Sequence, residues 1–146
     1  PHELVAERFE RHVHGQKIHP KSRYPFNADP RVIVHALDFF NRQALSAILI
    51  GNRETWGQGH ATQATLLLLR HAFKDLGLER VEARQLLSNP SSIRVHEKCG
   101  FRTEGVLRRA ALKEGALRDI NLMACLREEF VAAWSSFESS SSPTAK

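Results

Sequence analysis

Between Val32 and Leu87 the apolar residues change period twice, and this limits the chain to few architectures. Val32–Leu37 and Leu45–Ile50 are short apolar runs joined by a polar turn around Asp38–Arg42. Runs of this length and spacing predict a pair of antiparallel strands. Leu66, Leu67, Leu69, Ala72, Phe73 and Leu76 then recur at helical spacing, which predicts a long helix from about Gly59 to Leu76, stopped by Gly77. Arg80–Leu87 returns to the strand pattern. Alternation of this kind indicates an α/β sheet with helices packed on it.

Beyond it, Pro90–Lys98 reads as a short helix ended by Gly100, and Phe101–Leu107 as a further strand. Arg118–Leu126 is the last, reached through a turn at Lys113–Gly115. The expected organisation is an N-terminal segment over residues 1–31, one folded domain over 32–134, and a serine-rich flexible tail over 135–146. The first segment holds one brief amphipathic stretch, Leu4–His14, among Gly15, Pro20, Pro25 and Pro30. His12, His14 and His19 have no aspartate or cysteine spaced with them as a metal site requires, so no metal is expected.

At 146 residues the chain is the size of a single domain. Its formal charge of +5 suits an anionic partner, whether a phosphate-rich cofactor, a nucleic acid or an acidic protein, although solubility alone also accounts for part of it. Nucleic acid is the weaker choice, because the basic residues are interspersed with acids and the aromatics do not form a stacking platform. Cys99 and Cys125 lack CxxC spacing and read as buried thiols rather than a disulfide framework. Apolar runs such as Leu66–Leu69 are too short to span a membrane and the first residues lack a signal-peptide core, so a cytoplasmic protein with no membrane partner is expected.

Three local features carry possible chemistry. Trp56-Gly57-Gln58-Gly59-His60-Ala61-Thr62 lies between a strand and the start of the long helix. Small residues there let backbone N–H groups converge on an anion at the helix N-terminus, or else merely allow a tight connection. The Lys-Ser/Thr ending of a P-loop and the GxGxxG order of a dinucleotide fingerprint are both missing. Asn89-Pro90-Ser91-Ser92 opens the next helix, where Asn89 or a serine can cap the free amides. His96 in His96-Glu97-Lys98-Cys99-Gly100-Phe101 is of a type suited to proton transfer.

Taken in order, these elements resemble the GCN5-related N-acetyltransferase (GNAT) family, in particular its ribosomal-protein N-terminal acetyltransferase-like branch. The likeness runs from Val32 to Phe130. It is carried by Trp56–Ala61, Ala72-Phe73, Leu78-Glu79-Arg80-Val81, Asn89 with Ser92, Glu97–Phe101, Glu104-Gly105 and Asp119 to Met123. The resemblance implies a mixed sheet splayed between Leu45–Ile50 and Arg80–Leu87, with acetyl-coenzyme A as acyl donor in the opening. Trp56, Gly57, Gln58, Gly59, His60, Ala61 and Thr62 would then hold the pyrophosphate, and the backbone at Ile48, Leu49 and Ile50 would pair with the pantetheine arm. Asn89, Ser92, His96 and Lys98 would line the other wall. Arg84, Arg94, Lys98 and Arg102 are possible partners for the 3′-phosphate.

The implied reaction is direct transfer of the acetyl group to a primary amine. The resemblance suggests a protein N-terminus as acceptor, with a polyamine or other small amine as the alternative and a coenzyme-binding protein without catalysis as another. The oxyanion donor would be the backbone N–H of Leu49 or Ile50. Departures from the family pattern are informative. His96 stands where the family has the tyrosine that protonates the leaving thiolate, and it would take over that task, contact the coenzyme, or play no direct part. Leu45 stands where many members carry a glutamate base, which leaves His35, Asp38, Glu82, Asp119 or ordered water for the proton. The N-terminal part is shorter than the family's usual first strand and helix, and a monomer or homodimer is expected.

Overall fold

The computed structural model describes residues 30–50 and 57–141. Its element order is β1 (Pro30–Asp38), β2 (Gln43–Ile50), α1 (His60–Arg70), β3 (Arg80–Leu86), α2 (Pro90–Lys98), β4 (Arg102–Lys113), β5 (Ala116–Leu126) and α3 (Arg127–Ser141). The strands form one mixed sheet in the order β1-β2-β3-β5-β4. β2 and β3 run parallel and all other neighbours antiparallel. This is the mixed, helix-flanked sheet expected from the resemblance. The amphipathic stretch Leu4–His14 and the three N-terminal histidines lie outside the described residues.

The β1–β2 hairpin turns through Asp38, whose carboxylate accepts from the Asn41 backbone N–H at 2.9 Å and from its side-chain amide at 2.7 Å. Those bonds hold the Asp38 carboxyl below its ordinary value. Leu66, Leu68 and Leu69 of α1, with Ala72 and Phe73 beyond it, enter the core beside Val81 and Ala83 of β3 and Met123 and Cys125 of β5. The long helix expected to run unbroken to Leu76 is α-helical only to Arg70 and continues as one π-turn over His71–Asp75. The wider turn still delivers Ala72 and Phe73 to the interior, both at most 1 % exposed.

α3 covers the same core edge. Phe130 packs against Phe73 with ring centroids 5.4 Å apart, and Trp134 follows Phe130 at 5.6 Å. The helix continues through Ser141, so residues 135–141, expected to open a flexible tail, are helical. Gly100, in the turn that ends α2, has φ +94°, and a Cβ there would lie 2.9 Å from the Glu129 carbonyl. Glycine is required at that position on both counts, because α3 rests against the turn. Among the described residues no helix is long and apolar enough to cross a membrane.

Candidate active site

β2 and β3 pair for only part of their length. Gln43, Ala44, Leu45 and Ser46 face Arg80, Val81, Glu82 and Ala83, and no pairing follows. Past Ser46, β2 remains in register with β1 alone, from Ala47 opposite Ile33 to Ile50 opposite Pro30. The backbone edge of Ala47–Ile50 that faces away from β1 therefore borders a wedge-shaped opening. At its apex the Ser46 hydroxyl donates to the Glu82 carbonyl at 3.0 Å. A free strand edge is a template for an extended ligand that carries amides.

α1 is the next described helix after β2. Its N-cap is Gly59 at φ +83°, no side chain caps the first turn and no acidic residue lies within it. A helix start of this kind favours a bound anion. Among the described residues nothing lies within 4 Å of where a Cβ would project from Gly57 or Gly59. Gln58 and His60 flank Gly59, their side chains joined at 3.3 Å. Trp56 lies outside the described residues. Together the bare strand edge and the uncapped helix start fit the pantetheine and pyrophosphate parts of acetyl-coenzyme A.

α2 forms the other wall. The Asn89 side-chain oxygen accepts from the Ser92 N–H at 3.2 Å, which makes Asn89 the cap and leaves its amide NH₂ uncommitted among the described residues. Capping and ligand contact are thus compatible. The Ser92 carbonyl in turn accepts from His96 Nδ1 at 2.8 Å. A carbonyl can only accept, so Nδ1 carries the hydrogen and Nε2 of the neutral ring presents a lone pair. Burial lowers the His96 pKa, opposed by the bond to Ser92, and the ring is only 3 % exposed, edge-on to Phe101 at 4.9 Å. The Cys99 thiol points at the Thr62 carbonyl at 3.5 Å and so docks the end of α2 on the first turn of α1. Burial pushes that thiol up to about 12, which makes it an unreactive packing group.

Lys98 adjoins that contact. Of the four basic candidates, Arg84 approaches Glu82 at 3.7 Å and Arg102 is held by Glu129 at 2.8 Å. Arg94 and Lys98, one turn apart on α2, have no carboxylate partner among the described residues.

The possible proton acceptors separate in the same way. His35 of β1 faces Leu45, and Leu45 faces Glu82, so the three form one row across the sheet. Glu82 is tied to Arg80 at 3.0 Å, Asp38 to its turn, and Asp119 accepts from the Arg109 N–H at 2.8 Å. Only the side chain of His35 makes no such bond among the described residues. Sequence reasoning passed over Ser46 at the apex and Gln85 of β3, a buried polar residue in line with Val81 and Ala83. A polar residue at an alternate, otherwise apolar strand position was the available signal for Gln85.

Comparison with known proteins agrees with the fold. Residues 31–102 match the model of the acetyltransferase (GNAT) domain family. The chain is 39% identical over 74 residues to YokL, an SPbeta prophage-derived uncharacterized N-acetyltransferase of Bacillus subtilis, covering 51% of this chain and 42% of YokL. It is 33% identical over 78 residues to the uncharacterized N-acetyltransferase p20 of Bacillus licheniformis, covering 53% of this chain and 44% of p20. The chain thus spans less than half the length of these two relatives. Among solved structures it is similar to the spermidine N-acetyltransferase of Vibrio cholerae in complex with CoA and spermine, with a TM-score of 0.63 and 26% identity over 67% of this chain and 57% of that one.

Proposed function

Because this chain carries the fold of the GNAT acetyltransferases, we propose that it transfers the acetyl group of acetyl-coenzyme A to the primary amine of a polyamine or another small amine. The observation that carries the reading is the parting of β2 and β3 after Ser46, together with the uncapped start of α1. The likeness to the spermidine enzyme of Vibrio cholerae supports a small polyamine over the protein N-terminus suggested by the sequence.

In the proposed reaction the neutral amine attacks the thioester carbonyl carbon. A C–N bond forms, the C–S bond breaks, the amine gives up one proton and the departing sulfur takes one. This chain's residues serve those steps as follows. Backbone amides from Gln58 to Thr62 bind the pyrophosphate, with Lys98 and Arg94 on the phosphate side. The N–H of Leu49 or Ile50 on the bare edge of β2 donates to the developing oxyanion. The free NH₂ of Asn89 donates to a carbonyl of the arm.

His35 is the proposed acceptor for the amine proton, since it lies in the row with Leu45 and its side chain makes no hydrogen bond among the described residues. His96 is neutral, and its Nε2 accepts rather than donates. Its proposed place is therefore a contact in the wall of the opening, and solvent supplies the proton to the thiolate.

Thiol release with spermidine, spermine and an N-terminal peptide panel tests the reading. Turnover with the polyamines alone supports it, and turnover with the peptides alone reassigns the acceptor. Coenzyme binding with no turnover on any amine would favour a binding protein, a second reading motivated by Leu45 and the neutral His96.

A further inference from the structure

Ser46 is a buried polar residue in an otherwise apolar row. On the helix-packed face of the sheet it lies between Val34 of β1 and Ala83 of β3, and Ala44 precedes it on that face of β2. Val34, Ala44 and Ala83 all belong to the core or pack against it, so alanine at position 46 would serve packing alone. The serine hydroxyl is instead given to the backbone of β3, where it donates to the Glu82 carbonyl at 3.0 Å.

That bond falls where the two strands part. Ser46 is the last residue of β2 with a partner on β3, and residues 47–50 are in register with β1 alone. Among the described residues no other side chain of β2 is hydrogen-bonded to β3. Glu82, whose carbonyl accepts the bond, is itself anchored, since it pairs with Ala124 of β5 and its carboxylate is held by Arg80 at 3.0 Å. The end of a paired segment opens more easily than its middle, so without a bond at the apex the parting can travel back toward Leu45 and Ala44.

We infer that Ser46 is a positioning residue, whose hydroxyl fixes the point at which β2 leaves β3 and so sets the free backbone edge of residues 47–50. This role rests on the proposed function, in which that edge meets the arm and the thioester of acetyl-coenzyme A. Ser46 acts through the backbone and makes no contact with the coenzyme itself. Where the parting has run further back, the edge no longer lies at the spacing the arm requires, and apparent affinity falls with the fraction of correctly parted molecules.

Ser46→Ala removes one oxygen and keeps the packing, while Ser46→Thr keeps the hydroxyl. On the ligand-free proteins, amide hydrogen exchange over residues 45–47 and 83–84 is expected to be about fivefold faster in Ser46→Ala, the equivalent of one net hydrogen bond, and to return to the wild-type rate in Ser46→Thr. Calorimetric titration should place coenzyme A in the same order, about fivefold weaker in Ser46→Ala. Adenosine 3′-phosphate 5′-diphosphate, which keeps the base and phosphates but has no arm, should bind all three proteins equally. Unchanged exchange in Ser46→Ala overturns the role of Ser46, and so does equal affinity of coenzyme A for Ser46→Ala and a wild type that binds it; both leave the proposed function standing. Equal losses for the two probes mark a general structural role and overturn it, as does a Ser46→Thr protein that behaves like Ser46→Ala. A wild type that binds neither probe overturns the role and the proposed function together. Exchange and the coenzyme A titrations decide alone if the armless probe is too weak to measure.

Discussion

Burial, not a charged neighbour, sets the protonation of His96, and that fixes how the residue bears on stability. Its pKa is lowered from 6.5, so the unfolded chain takes up a proton at a higher pH than the folded one. The contribution is complete above about 6.5 and is lost as pH falls through that value toward the folded pKa. The melting temperature should therefore fall from pH 7.5 to 5.5 more steeply in the wild type than in His96→Phe, and parallel profiles would contradict a buried neutral ring. The residue was legible in the sequence as a histidine before Gly100-Phe101. Its charge state was not, because burial depends on how α2 packs. Ser46 matters only because the strands part just after it, and a separation of that kind is a tertiary property. The position of Leu45 could be read from the sequence, whereas its row with His35 and Glu82 needed the register.

At the scale of elements, the glycine loop and α1 combine two demands. Gly59 holds φ +83° with open space where a Cβ would project, so Gly59→Ala meets backbone strain and no clash. That substitution should cost about 1 kcal/mol of stability by thermal or urea unfolding. It should also weaken coenzyme A, since relieving the strain turns the first amides of α1 away from the phosphates. Unchanged stability and affinity would show that the loop tolerates another backbone. The strands and α1 were legible from period and turn residues. The π-turn at His71–Asp75 was not, since the apolar spacing there suits an α-helix equally well. α3 was missed although Phe130, Trp134 and Phe137 recur at helical spacing, because the serines among them read as a tail.

Among the described residues α1, α2 and α3 pack on one face of the sheet, while the row of His35, Leu45 and Glu82 lies on the other. Arg80 organises charge on that second face. Its guanidinium contacts both Glu104 oxygens at 2.7 and 2.6 Å and Glu82 at 3.0 Å, and it holds the Glu104 carboxyl below its ordinary range. Arg80→Met should cost about 1 kcal/mol of stability, the value of a partly exposed charged network, and raise the Glu104 pKa as followed by NMR titration. A pKa that does not move would remove Arg80 as its cause. The overall charge of +5 suited an anionic ligand without locating it. The proposed function locates it where β2 and β3 part, at the uncapped start of α1. The most direct measurement is a calorimetric titration of acetyl-coenzyme A into the wild type and His96→Phe. Binding at one site per chain in both proteins is the predicted result, and a wild type that takes up no acetyl-coenzyme A would contradict the account.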